Sequence, residues 1–249
     1  MKADGFDLVD DFSDLFGMNA AGTDAKMRNT KESILEAQFT PGAGNWCTWM
    51  FGRDLVNWNN NFTWAKWVTP SRDLISTFKQ EGDEVRFKES VVYYDCGWSN
   101  YYPSDNYPFM YKCRSANSSI IKYRYADVLL LKAEALIMQD TPDLEGAADI
   151  IDEVRDRAKL GALSSSTRSN KDALLNALLK ERRLELAFEG QRWFDLVRLD
   201  KVEEVMNAVH AKDSGRKAQV YTYDKNSYRL PIPQSVIDAN DKIHQNPGY

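Results

Sequence analysis

The stretch KERRLELAFEGQRWFDLVRL, residues 180–199, shows most directly how this chain folds. Leucines at positions 174, 175, 178 and 179 lead into it, and Leu184, Ala187 and Phe188 continue the apolar positions at spacings of three and four. This is the period of one face of an α-helix. Gly190 interrupts the run of good helix formers and favours a helix end there. The stretch therefore predicts the end of a long helix, followed by the start of another element.

Charged side chains fill the gaps between these apolar positions. Glu181, Arg182, Glu185 and Glu189 lie among large hydrophobic residues, which permits two interpretations. They can form an acid–base site, or they can be ion pairs that hold buried helices together, because both arrangements perturb charged groups. The segment contains no histidine or cysteine to act as a nucleophile or proton shuttle, so we favour the structural interpretation.

The same stretch resembles the C-terminal signature of the SusD/RagB family of outer-membrane nutrient-binding lipoproteins. Three further segments resemble family motifs: IIKYRYADVLLLKAEAL (120–136), IIDEVRDRAKL (150–160) and the tail LPIPQSVIDANDKIHQNPGY (230–249). WVTPSRDLISTFKQEGDEVRF (67–87) is similar to an upstream family segment, W-x-x-P-T…F…GD-x-R, with serine in place of the usual threonine and with Glu84-Val85 lengthening the step from Gly-Asp to Arg86. Four ordered motifs over the C-terminal half make the resemblance specific.

The resemblance implies a non-catalytic protein that binds glycans and caps a SusC-like TonB-dependent transporter. Family members begin with a secretion signal and a lipid-modified cysteine, and neither pattern occurs in the opening MKADGFDLVDDF. We therefore expect this chain to correspond to roughly the second half of a family member, without its lipid anchor. The implied location is the outer membrane at the cell surface.

Composition narrows the other functional classes. The chain has 249 residues, of which 43% are apolar and 28% charged, with a net charge of −5. These values are typical of a globular protein and argue against a nucleic-acid surface. No window approaches the length of an apolar membrane span. Three cysteines without paired spacing and two histidines do not form a zinc-site pattern, so neither a metal nor a cofactor is predicted.

We predict a mainly α fold with tetratricopeptide-like helix pairs, long structured loops and a few short β-strands. Helices are expected at 70–81, with Ser71 as its cap, and then through a helical core at about 119–210; a strand is expected at 85–94. No low-complexity linker interrupts the chain, so residues 1–249 are predicted to form a single domain. The tail at 230–249 is expected to contain extended pieces and a short helix.

Two aromatic loops carry the strongest functional signal. Residues 41–68 contain five of the seven tryptophans among glycines and asparagines, and residues 95–111 mix aromatic residues with asparagine, serine and aspartate. Neither stretch has a helical or strand period, and long structured loops are usually functional. Aromatic plates cover the apolar face of a sugar ring, while amide, carboxylate and guanidinium groups bond to its hydroxyls. The loops therefore predict a glycan-binding face.

The candidate site residues are of two kinds. The aromatic plates are Trp46, Trp49, Trp58, Trp98, Tyr101 and Tyr102. The polar rim is Arg53, Asn57 and Asn100, with Asp54, Asn59, Asn60, Asp105 and Asn106 as further candidates. The resemblance does not identify which ring is used, because these loops are the least similar part of the chain.

Three alternatives accompany this interpretation. The loop rings can instead fix the loops onto the helical core, as we predict for Trp64, Trp67 and Trp193. A glycoside hydrolase built from two carboxylates, among Asp54, Asp95 and Asp105, would need one raised and one ordinary carboxyl pKa. A helical-repeat scaffold that binds another protein is the third. It is compatible with glycan binding, because the helical repeats of family members supply much of the transporter contact.

Overall fold

The computed structural model describes residues 5–40, 44, 69–96, 101–212 and 222–249. Within these ranges the helices are α1 (Ser13–Phe16), α2 (Arg72–Glu81), α3 (Glu84–Ser90), α4 (Tyr125–Met138), α5 (Leu144–Arg157), α6 (Ser165–Arg168), α7 (Lys171–Glu185), α8 (Arg192–Arg198), α9 (Val202–Lys212) and α10 (Gln234–Asp238). The strands are β1 (Ser33–Ala37), β2 (Val91–Tyr94), β3 (Tyr107–Met110) and β4 (Ile120–Arg124), and 3-10 turns lie at Ser104–Asn106 and Lys225–Tyr228. The chain divides into two compact units, Met1–Gly190 and Gln191–Tyr249.

The core of the first unit lies between α4, α5 and α7. Alanines at positions 126, 133, 147 and 148 are fully buried there and permit close helix approach. Leu130, Ile151 and Leu178, one from each helix, are also fully buried and fill the space between them. The α4–α5 hairpin and the α7 helix that packs on it confirm the predicted mainly α, tetratricopeptide-like fold.

The helix α2 begins and ends as its sequence predicts. The Ser71 hydroxyl accepts a hydrogen bond from the Leu74 N–H, and Leu74 and Phe78 are buried. Gly82 ends the helix in the left-handed conformation, with φ +68°, and donates its N–H to the Phe78 carbonyl. This is the usual role of a glycine after a helix.

The strand predicted at 85–94 is wrong over its first half. Residues Glu84–Ser90 form α3, and only Val91–Tyr94 are extended. Asp83 caps α3 by accepting a hydrogen bond from the Arg86 N–H, and the Arg86 side chain is completely buried among carboxylates. The helix is thus held by a local cap and by charged residues that are distant in sequence.

Two other expected boundaries also change. The second aromatic loop is shorter than predicted, because Tyr107–Met110 form β3, which pairs antiparallel with β2 and matches Tyr94 to Tyr107 and Val91 to Met110. The helical region does not begin at residue 119, because Ile120–Arg124 form β4, which pairs antiparallel with β1. The first correction arises from a strand partner nearby in sequence, and the second from a partner that is distant in sequence.

The second unit contains α8, α9 and the tail. The Gln245 side chain makes hydrogen bonds of 2.8 and 2.9 Å with the backbone N–H and C=O of Ile232. The Asn246 amide donates to the Leu230 carbonyl, and the Tyr249 hydroxyl donates to the Arg229 carbonyl. The closing residues of the tail therefore hold its extended PIP segment in place, and the predicted short helix is confirmed as α10.

Trp193 belongs to this second unit and is only partly buried. Its ring centroid lies 6.3 Å from that of Tyr223. Trp193 is therefore less buried than predicted. The seven-residue helix α8 buries Asp195 and Leu196 instead. Trp64 and Trp67 lie outside the described residues. In the described part of the chain no helix is long and apolar enough to cross a membrane.

Candidate functional site

Most of the sequence-predicted site lies outside the described residues. This applies to Trp46, Trp49, Arg53, Asn57, Trp58, Trp98 and Asn100, together with the rim candidates Asp54, Asn59 and Asn60. Tyr101, Tyr102, Asp105 and Asn106 are described. They lie between β2 and β3, against the first turn of α2.

Tyr101 and Tyr102 form an aromatic pair beneath an arginine. Their ring centroids are 4.9 Å apart and the rings meet edge to face, at 86°. The Arg72 guanidinium carbon lies 4.3 Å from the Tyr101 ring centroid and 4.1 Å from that of Tyr102. The same guanidinium donates a hydrogen bond to the Tyr101 carbonyl. Arginine over aromatic rings is a favourable cation–π arrangement, so the three side chains hold one another in place.

Hydrogen bonds fix this pair to the rest of the unit. The Tyr102 hydroxyl donates to the Pro70 carbonyl at 2.8 Å, and the Tyr107 and Thr69 hydroxyls lie 2.7 Å apart. The Tyr107 ring meets that of Tyr102 edge to face, with centroids 5.7 Å apart. Burial raises the pKa of Tyr107 above its ordinary value. Tyr101 and Tyr102 themselves are only partly buried, so a fixed aromatic surface remains accessible to a ligand.

A cleft of about 340 Å³ adjoins the aromatic pair. We call it the α2 cleft; its lining residues are Arg72, Ile75, Ser76, Lys79, Tyr93, Tyr102, Pro103 and Asn106. Four of these residues follow the spacing i, i+3, i+4 and i+7 along α2, which places them on one helix face. Asn106 lines the cleft as a predicted rim residue, whereas Asp105 is exposed in the neighbouring 3-10 turn and does not line it.

Sequence reasoning missed Arg72, Lys79 and Tyr93 as site residues. The stripe of Arg72 and Lys79 on α2 was visible in the sequence, but solvated charges on a helix face are common and carry no functional signal alone. Only the packing of Tyr102 and Pro103 against this face turns the stripe into one wall of a cleft.

A second cleft, of about 390 Å³, lies around Lys112, just after β3 in the sequence. Its lining is mostly apolar and includes Phe16, Met110, Ile121 and Phe188. Lys112 and Glu189 also line it, and the Lys112 ammonium donates to Glu189 at 2.6 Å. The ammonium also lies 4.7 Å from the Phe16 ring centroid. These two charged groups are thus already paired within the protein.

Next to this second cleft lies a buried group of ion pairs, which we call the ionic network. Its members are Glu32, Asp83, Arg86, Lys112, Arg124, Arg155, Arg157, Glu181, Glu185 and Glu189. Each of the family-like segments before the tail contributes to the network. Segment 67–87 supplies Asp83 and Arg86, segment 120–136 supplies Arg124, segment 150–160 supplies Arg155 and Arg157, and segment 180–199 supplies three glutamates. The network joins α3, α5, α7 and the β1–β4 pair at one place.

Glu185 is the centre of the network. Its carboxylate is fully buried and accepts hydrogen bonds from Arg86 at 3.0 Å, from Arg124 and from Arg157. Burial by itself would raise the pKa of Glu185, but the charges of these three arginines hold it well below its ordinary value. Glu185 therefore stays ionised and cannot donate a proton near neutral pH.

The other titratable members of the network described next are also bonded to oppositely charged side chains. Burial raises the pKa of Glu181 and of Asp83, yet both carboxylates bond to Arg86 in the core. Burial would raise the pKa of Glu189, but Arg124 and Lys112 lower it overall. Burial lowers the pKa of Lys112 to about 8, and this ammonium shares its carboxylate partner with Arg124. These pairs hold elements together, as the structural interpretation of residues 180–199 predicts.

Comparison with known proteins identifies the family. The sequence model of the SusD family matches residues 102–249, which is more than half of the chain. The chain belongs to the SusD family. The matched region begins at Tyr102 of the aromatic pair and includes β3, the helical core and the tail.

Named relatives agree with this assignment. The chain is 41% identical to SusD-like protein P38 of Formosa agariphila over 139 residues, which are 53% of this chain and 25% of that protein. A SusD superfamily structure from Parabacteroides distasonis superposes with a TM-score of 0.73 at 21% identity, over 100% of this chain and 55% of the other. A laminarin-binding SusD-like protein superposes with a TM-score of 0.66 at 25% identity, over 98% and 54%. The chain thus spans about half the length of the solved structures it matches.

Proposed function

We propose that this SusD-family chain binds oligosaccharides without cleaving them. The observation that carries the proposal is the fixed, partly exposed pair Tyr101 and Tyr102 at the edge of the α2 cleft, with Arg72 across both rings. Aromatic faces bordered by hydrogen-bonding groups suit sugar rings, which have polarised C–H groups on one face and hydroxyls at the rim. A shallow, solvated site of this kind gives affinities on the order of micromolar to millimolar.

The family supports this choice of ligand. A relative with the same fold over 98% of this chain is described as laminarin-binding. The predicted loop residues Trp46, Trp49, Trp58 and Trp98, with Arg53, Asn57 and Asn100, would extend the aromatic surface beyond Tyr101 and Tyr102. We propose them as further members of the same glycan site.

Binding without catalysis is the second part of the proposal. In the described part of the chain, the carboxylates with raised pKa, Glu181 and Asp83, are bonded to Arg86 in the core and do not line the α2 cleft. Asp95 and Asp105, two of the carboxylates considered for a hydrolase, are exposed. A glycosidase needs a protonated carboxylic acid next to the bond that breaks.

The third part concerns location and partner. We propose that the longer protein acts at the outer face of the outer membrane, is held there by a lipid anchor, and delivers its glycan to a SusC-like TonB-dependent transporter. The family assignment supports this proposal. Purification of the full-length protein from outer membranes should yield a stoichiometric TonB-dependent transporter. Its absence from an otherwise intact complex would contradict the partnership.

Calorimetric titration with a panel of oligosaccharides, followed by product analysis, tests the binding proposal. Tyr101→Ala should weaken glycan binding about tenfold, or about 1.4 kcal/mol, because it removes one plate of the pair. Tyr102→Phe keeps the ring and should bind almost normally.

Trp58→Ala and Trp98→Ala test the proposed loop residues and should lose affinity for glycans without a lower melting temperature. Unchanged binding by Tyr101→Ala and both tryptophan variants would contradict the site, and any cleaved product would contradict the non-catalytic function.

A further inference from the structure

The charges that line the α2 cleft are all of one sign in the described part of the chain. Arg72 and Lys79 lie in its wall, and none of the described lining residues is a carboxylate. The two acidic residues of α2 do not line the cleft: Asp73 pairs with Arg183 at 2.6 Å, and Glu81 pairs with Lys180. The described wall of the cleft therefore carries two positively charged groups, within a chain whose net charge is −5.

The two cations are placed at the two ends of the cleft wall. They are seven residues apart on one helix, which corresponds to about 10 Å along the axis. Between them lie Ile75 and Ser76, and Tyr93 and Tyr102 face the same cleft. This spacing accommodates a disaccharide, with an aromatic contact in the middle and a positive group near each end.

Lys79 is the more informative of the two. Its side chain is exposed and makes no hydrogen bond or ion pair with any other described residue. Arg72 keeps a fixed position through its contacts with both tyrosine rings and with the Tyr101 carbonyl. A lysine without a carboxylate partner among the described residues, at the edge of a cleft, is available for an anionic group of a ligand.

We propose that the α2 cleft selects anionic saccharides, in which a uronate carboxylate or a sulfate ester pairs with Lys79 while the sugar ring lies against Tyr102. This proposal rests on the glycan-binding function and adds a charge preference to it. The anionic group gains a charge-assisted contact that a neutral sugar of the same shape lacks. Because Lys79 is exposed, that contact is screened by salt.

The test compares charged oligosaccharides with their neutral counterparts. One arm uses oligogalacturonate and its carboxyl-reduced form, and the other uses carrageenan oligosaccharides and their desulfated form. The chain should bind at least one charged probe about tenfold more tightly than its neutral counterpart, and the difference should shrink as salt is added. The arm in which the difference appears identifies the anionic group.

Variants assign this preference to the cleft. Lys79→Gln should weaken binding of the charged probe about three- to tenfold and leave the neutral probe unchanged, and Lys79→Glu should weaken it further. Lys132→Gln, which removes another exposed lysine on α4 outside the cleft, is the matched control and should bind normally.

Three outcomes are distinguishable. A charge preference that Lys79→Gln removes supports the proposal. Equal binding of charged and neutral probes, with no effect of Lys79→Gln, overturns the charge preference and leaves the glycan-binding function in place. Failure to bind any saccharide, in either arm or in the calorimetric panel of oligosaccharides, overturns both.

Discussion

Arg124 and Arg72 lie in the same compact unit, but they differ in burial and in the groups that hold them. Arg124 is 1% exposed and bonds to Glu32, Glu185 and Glu189. Arg72 is partly exposed, lies over two tyrosine rings and lines a cleft. A guanidinium enclosed by carboxylates has its charge neutralised and serves the fold. A guanidinium fixed by aromatic rings at a partly exposed position can be reached by a ligand.

The comparison shows that residue type alone does not separate structure from function here. Both regions contain arginine and aromatic residues, since the Phe12 ring also lies 4.8 Å from the Arg157 guanidinium. Burial makes the difference. The ionic network is buried, whereas the two cations that line the α2 cleft reach solvent. Substitutions in the network should therefore change stability, and substitutions in the cleft should change binding.

The largest effect is expected from Glu185→Ala. The substitution leaves Arg86, Arg124 and Arg157 buried without their shared partner, which should lower the free energy of unfolding by about 3–5 kcal/mol. Urea unfolding monitored by circular dichroism measures this free energy. Arg168→Ala is the control, because Arg168 pairs with the exposed carboxylates of Glu145 and Asp149 and should lose only a small fraction of that amount. A similar loss in both variants would remove the distinction between buried and surface networks.

Acid should destabilise the protein through the same network. Glu185 and Glu189 have pKa values below the ordinary 4.5, so the stability they contribute is complete above that pH and is lost as pH falls through their native pKa values. Glu181 has a raised pKa, and its contribution has the opposite sign. The free energy of unfolding of Glu189→Gln should depend less steeply on pH below about pH 4.5 than that of the wild type.

The control for the acid experiment is Asp140→Asn, which changes an exposed carboxyl after α4. Its pH profile should be parallel to that of the wild type. A profile for Glu189→Gln that is steeper than the wild-type profile would contradict the assigned sign.

Arg72→Lys tests the other half of the comparison. The variant keeps the charge but loses the planar group that covers both tyrosine rings, a contact worth about 0.5–1 kcal/mol at an exposed site. Glycan affinity should fall two- to fivefold with little change in thermal stability. Arg168→Lys makes the same replacement away from the cleft and should bind normally. A large loss of stability in Arg72→Lys would place Arg72 with the structural arginines instead.

An effect confined to stability is expected at the end of α2. Gly82 has φ +68°, and no atom lies within 4 Å of the point that an alanine Cβ would occupy, so Gly82→Ala should cost about 1 kcal/mol through backbone strain alone. Gly161, which also has open space but no positive φ, is the matched control and should tolerate alanine without that cost. Equal unfolding midpoints for the two variants would contradict the strain at Gly82. Glycan binding should be unchanged in both.

Local sequence determined α2, α7 and the resemblance to the family. The spacing of leucines in α7, the Ser71 cap of α2 and the glycine that ends α2 act over a few residues, so their pattern can be seen in the chain itself. The charged motifs that resemble those of the SusD family were also visible in the sequence. The sequence did not show that their charged residues meet in one buried network. Helical period and capping are local physical effects, which is why they can be predicted without a fold.

Tertiary structure alone decided the rest. The start of α3 depends on Arg86 reaching Glu181 and Glu185, which are 95 and 99 residues away, and β3 exists because it pairs with β2. The α2 cleft likewise requires Tyr102 to pack against a helix that ends some 20 residues earlier. Pairing partners and burial depend on which distant residues meet, and single-sequence periodicity contains no information about such contacts. The sequence thus indicated an aromatic surface with a polar rim, and only tertiary packing places Arg72 and Lys79 of α2 beside Tyr102.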